Sequence, residues 1–217
     1  EEIFIGSDKM SVGILLLIIT GLLIYFGAAQ RVLDKLYLTD SAALLIIALL
    51  IIGSFFEVTI LRDPLLTINA GGAVVPIILS IYILSRADSA GERLRTIAAV
   101  FLTAMFIYAV SILFSNFGHG RDILDPMYIY AISGGIIAYL LGRSRRASFI
   151  AGTMGFLGFN LFTFFKALAG TINAQTRLGG GGIFDSMVIS GIFAVLLAEL
   201  LGESLERLRG GHRDDSK

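Results

Sequence analysis

Glu57, Asn69, Asn160, Thr163 and Asp185 stand inside or beside long apolar runs, and their types could carry chemistry there. An ionisable group inside a bilayer costs about 2.5 to 3.5 kcal/mol on an insertion scale, so membrane chains keep one where water, a partner or a function compensates it. Two carboxyl groups sharing a site, one protonated and one ionised, activate a water for hydrolysis. The same groups serve equally as ligands of a proton, a cation or a small polar solute. Breaks in the chain accompany them. Gly71-Gly72 follows Asn69, with Pro76 close behind, and the run Gly179 to Gly182 precedes Asp185. Ser133-Gly134-Gly135 repeats the theme more weakly. Glycine and proline loosen a helix and free its backbone groups, and broken helices near mid-membrane are one way of making a binding site. The candidate binding set is Glu57, Asn69, Gly71, Gly72, Thr163, Gly181, Gly182 and Asp185. The candidate catalytic pair is Asp185 with Asn160.

Composition says what must position these residues. Of 217 residues, 56% are hydrophobic and 16% charged, with a mean hydropathy of +0.84. A soluble domain carries about 25% charged residues. The chain reads as an all-α, polytopic membrane protein, with the lipid bilayer as its first partner. Zero net charge gives no footprint for nucleic acid. The absence of cysteine excludes disulfides, thiolate catalysis and cysteine metal sites. His119 and His212 stand too far apart to suggest zinc. No Gly-Lys-Ser/Thr follows the four glycines, so they are not a Walker loop. No cofactor is implied.

Seven apolar segments are legible, at residues 11–28, 41–60, 65–84, 96–114, 127–141, 147–168 and 183–201. Each is near the length that a bilayer requires. Residues 1–10 read as an extracytoplasmic stretch, with Met10 as a natural start and the residues before it as a remnant. Residues 11–201 read as one seven-helix domain and 202–217 as a charged cytoplasmic tail. Lys9, Arg62, Arg121, Lys166 and Arg177 fall on one side, and the other twelve of the seventeen Lys and Arg on the other. The positive-inside bias sets the N-terminus outside and the C-terminus in the cytoplasm. Nearly all the acids, amides and glycine breaks then cluster in the outer halves of the spans.

Structural explanations compete at most of these positions. Asp40-Ser41, Asp63-Pro64 and Asp125-Pro126 look like helix starts, with Asp as cap and, in the last two, Pro in the first turn. Asp185 could cap the seventh helix in the same way. Glu57 can reach interface water or pair with Arg62. Thr153, Asn160 and Thr163 share one face of the sixth segment, and such a stripe also serves as packing glue. His119 reads as a loop residue. Glu199 reads as a snorkelling side chain at the cytoplasmic end.

The stretch from Ile68 through Asn69-Ala70-Gly71-Gly72-Ala73, Pro76 and Leu79-Ser80-Ile81-Tyr82 resembles an uncharacterised family of prokaryotic membrane proteins labelled domain of unknown function 1614. Ile150-Ala151-Gly152-Thr153-Met154-Gly155 and Gly180-Gly181-Gly182-Ile183-Phe184-Asp185 resemble that family's later motifs. The resemblance implies a multi-pass protein of the prokaryotic cytoplasmic (inner) membrane, and it brings no activity. Where the family leads one to expect Gly-Ala-Asp-Leu, this chain reads Gly158-Phe159-Asn160-Leu161, an amide in place of a carboxylate.

Three functions follow as expectations. The first is a transporter or binder of an ion or small polar solute. The second is a hydrolase loosely similar in layout to presenilin-like intramembrane aspartyl proteases, with Asp185 after glycines on the seventh helix and position 160 on the sixth. Here Asn160 cannot be an acid, and no Pro-Ala-Leu element is present. The third is a non-catalytic membrane subunit, with glycine faces serving a partner membrane protein or a second copy.

Overall fold

The computed structural model describes residues 36, 38–114, 126–142, 144–182 and 185–210. The first apolar segment, residues 11–28, and the polar loop holding Asn116, His119, Asp122 and Asp125 lie outside the described residues.

Apolar runs dictate the helices. In order these are α1 (Asp40–Gly53), α2 (Val75–Ser85), α3 (Ala90–Phe114), α4 (Pro126–Gly142), α5 (Arg145–Leu168) and α6 (Ser186–Gly210). Two of them, over Ala90–Leu113 and Arg145–Leu168, are long and apolar enough to cross a membrane. Helix α1 begins one residue earlier than an Asp40 cap requires. Its cap is Thr39, whose hydroxyl accepts from the Ala42 N–H at 3.3 Å.

The described chain is mostly helical, as expected, but the second and third apolar segments form shorter helices with strands between them. Helix α1 stops at Gly53 and α2 starts at Val75. Between them lie strands β1 (Glu57–Arg62) and β2 (Leu65–Asn69), then a wide π-type turn at Ala70–Val74. The hairpin has a physical cause. Val58, Thr59, Ile60, Thr67 and Ile68 are β-branched and stiff at χ1, which favours strand over helix. Asp63-Pro64 forms the turn between the strands instead of starting a helix, and its peptide bond is cis. A third strand, β3 (Thr176–Leu178), pairs parallel to β2, giving the order β1-β2-β3.

Helix α5 is the hub. Its glycines let neighbouring helices approach closely. A side chain at Gly152 would strike the Ser190 carbonyl of α6 at 2.7 Å, and one at Gly155 would strike Thr103 of α3 at 2.7 Å. Phe159 meets Tyr130 of α4 edge-on. The periphery is the reverse of a soluble surface. Along α3, Leu94, Ile97, Phe101, Leu102, Met105, Ile112 and Leu113 are exposed, while Thr96 and Thr103 are buried. Leu44, Leu45, Leu49 and Ile52 continue that apolar exterior on α1.

Candidate functional site

The chain crosses itself closely at one end of the bundle, and there glycine is a necessity. Gly53 at the end of α1 lies against Gly71, where an added Cβ would sit 2.6 Å from the Gly71 nitrogen. Gly72 lies against the Gly179–Gly182 loop, and a Cβ there would reach the Gly182 carbonyl oxygen at 2.6 Å. Gly179 and Gly182 also hold φ of +71° and +59°, a region open chiefly to glycine. Three segments therefore meet backbone to backbone: the end of α1, the π-type turn that starts α2, and the loop that leads to α6.

Polar side chains secure this junction. Asn69 is 2% exposed. Its Oδ1 accepts from the Gly72 N–H at 2.9 Å, and its Nδ2 donates to the Ser54 carbonyl at 2.8 Å. One amide thus caps the π-type turn and ties it to the end of α1. Pro76 falls in the first turn of α2, where its missing N–H costs nothing. Asp185 performs the matching task for α6. One carboxylate oxygen accepts from the Met187 N–H at 2.9 Å and the other from the Gly181 N–H at 3.3 Å.

The residues singled out in the sequence therefore separate. Asn69, Gly71, Gly72, Gly182 and Asp185 come together at or beside the junction; Gly181 is exposed there but gives its N–H to Asp185. Thr163 is spent within its own helix, donating to the Phe159 carbonyl at 3.0 Å. Glu57 pairs in register with Asn69 on the sheet, but its side chain is exposed at the strand edge. Gly53 and Ser54 belong to the junction and escaped the sequence reading. The signal was a Gly-Ser pair closing the apolar run.

Asn160 is the exception. It is 8% exposed, and no described residue hydrogen-bonds its carboxamide. Seven residues below it is Thr153, within about 20° around the helix. The Thr153 hydroxyl lies against Gly191 of α6 and has no hydrogen-bond partner among the described residues. Since α5 and α6 run antiparallel, two turns up from that contact sets Asn160 level with the start of α6. Phe156, one turn below it, shares an apolar cluster with Ala73, Leu178 and Met187. Asn160 thus stands on the α5 face that meets the starts of both broken helices.

The opposite end is ionic. Glu199 does not simply snorkel: it pairs with the Arg145 side chain, each about four-fifths buried. Arg146 bonds Asp88 at 2.5 Å and the Arg86 carbonyl at 3.2 Å, with Glu92 at 3.5 Å. Ser89 and Ser144 cap α3 and α5 there.

No curated protein and no solved structure matches the chain. The motifs at Asn69–Tyr82, Ile150–Gly155 and Gly180–Asp185 build α2, the α5 seam and the α6 cap, and all lie within residues 39–197, which match the family described as Protein of unknown function (DUF1614). The chain belongs to that family.

Proposed function

We propose that this chain is a multi-pass protein of the prokaryotic cytoplasmic membrane, N-terminus outside, that binds an ion or small polar solute between its two broken helices. One observation carries the reading. Asn69, Asp185 and Thr163 are consumed by capping and back-bonding, whereas Asn160 is buried with no hydrogen bond from a described residue. A carboxamide that no described residue bonds leaves its donors and acceptor open to a ligand. The exposed apolar side chains along α1 and α3 support the membrane setting, because large exposed apolar patches are rare on soluble monomers. The basic residues of the Arg86–Arg95 and Arg145–Arg146 region support a cytoplasmic rim at the ionic end.

Hydrolysis is less well supported. It needs two carboxyl groups in one site, and Asp185 is the one buried acid among the described residues, with both oxygens bonded to backbone N–H.

The test is thermal melting of purified protein in detergent against a panel of monovalent ions, divalent ions and small polar solutes. A compound that raises the melting temperature of wild type and of Asp185→Asn, but not of Asn160→Ala, supports the site. A shift that persists undiminished in Asn160→Ala removes Asn160 from it.

A further inference from the structure

We infer that β1 is a dimerisation edge, pairing antiparallel with β1 of a second copy. The strand is the outermost in the order β1-β2-β3, and all six of its residues are exposed. Phe55 is 83% exposed, and Phe56, Val58, Ile60 and Leu61 are exposed beside it. This edge suits neither solvent that a membrane protein meets. Water leaves the apolar side chains uncovered, and an uncovered edge of that kind is a template for association. Hydrocarbon leaves the outer row of N–H and C=O groups unpaired, which lipid does not tolerate. A second strand satisfies both requirements.

Charge selects the second copy as that strand. Set antiparallel to itself, Glu57–Arg62 places Glu57 opposite Arg62 of the second copy at both ends, Val58 opposite Leu61, and Thr59 opposite Ile60 at the two-fold axis. A slip of two residues either way sets Glu57 against Ile60 or Arg62 against Thr59. Opposite charges directly across a strand pair stabilise it and like charges destabilise it. The β1–β2 register slips between Thr59 and Leu61, so the bulge falls at the axis. Such a pair is isologous and closed: each copy uses its β1 edge, which no described strand covers, and no third copy can add to it.

The experiment uses the whole chain in detergent and in lipid nanodiscs, with dimer fraction read by light scattering. Glu57→Arg or Arg62→Glu should each weaken dimerisation by at least about tenfold, since two like-charge pairs replace two ion pairs. Glu57→Arg combined with Arg62→Glu should restore it. Melting temperatures should stay near wild type, because both side chains are exposed, which separates this readout from unfolding. The chain lacks cysteine, so Val58→Cys with Leu61→Cys should oxidise to a covalent dimer while Val58→Cys alone should not. A wild type monomeric in both media, or single reversals that leave the dimer intact, overturns the proposal. So does bromolipid quenching of a fluorophore at Thr59→Cys in a monomer, which would put lipid on the edge.

Discussion

At the end of the bundle where α5 begins, long charged side chains reach across the gaps between helices; where α6 begins, backbones touch directly and short polar side chains only cap them. Arg145 to Glu199 and Arg146 to Asp88 span distances that backbones never close. Gly53, Gly71, Gly72, Gly179 and Gly182 bring backbones together until no Cβ fits. The first kind of joint tolerates change, because a flexible side chain can rotate and water can replace a partner. The second does not, because a main chain has nowhere to go. The consequence is a division of labour: the ionic end holds helices side by side, and the glycine end fixes where two broken helices start.

The comparison breaks most visibly at Gly72. Gly72→Leu drives a side chain into the Gly179–Gly182 backbone, and a loss of about 4 kcal/mol or more is expected, read as collapse of the detergent melting transition. Its counterpart at the ionic end is Gly91→Ala, where an added Cβ meets nothing nearer than the Ser89 hydroxyl at 3.9 Å. That variant should melt as wild type or slightly above it.

Asp185→Ala strips the cap from α6 and should cost about 2 kcal/mol. Asp185→Asn keeps an acceptor oxygen and should cost less than half as much; equal losses in a denaturant titration would show that charge, not capping, is what matters. At the ionic end, Arg145→Ala leaves Glu199 partly buried and unpaired. About 1 to 2 kcal/mol is expected, with a double-mutant cycle against Glu199→Ala returning most of it as coupling. Smallest is Arg146 with Asp88. Asp88 is mostly exposed, so its removal should cost under about 0.5 kcal/mol and vanish in high salt. If that pair proved stronger than the Asp185 cap, the contrast between the two ends would reverse.

Apolar runs mark α4 and α5 to within two residues, because they leave few alternatives to a helix, whereas the charged first turns of α3 and the charged end of α6 to Gly210 lie beyond the apolar segments. The sequence reading failed between Gly53 and Ala70. A hydropathy window sees Phe55-Phe56 and Leu65-Leu66 as more of the same, whereas the alternation of β-branched residues around Asp63-Pro64 is a hairpin pattern. At the site, the glycine clusters and the capping role of Asp185 were visible as local signals. The meeting of Gly72 with Gly179 and Gly182 was not, since nothing in one segment tells which distant segment it will touch. Asn160 was legible as a polar residue on an apolar helix; that its neighbours would be two helix starts needed the fold.

The short helices flanking the hairpin have a mechanical consequence. Helix α1 has 14 residues and α2 has 11, about 21 Å and 17 Å long, against 25 residues and about 38 Å for α3. A hydrocarbon layer is about 30 Å thick. In the proposed membrane setting, the bilayer would have to thin beside α1 and α2, or the hairpin would have to sink below its surface, while beside α3 it would keep its full depth. Such a difference in helix length would deform the surrounding lipid unevenly. Mismatch of this kind carries a modest cost per ångström, which adjacent proteins reduce by sharing one thinned annulus.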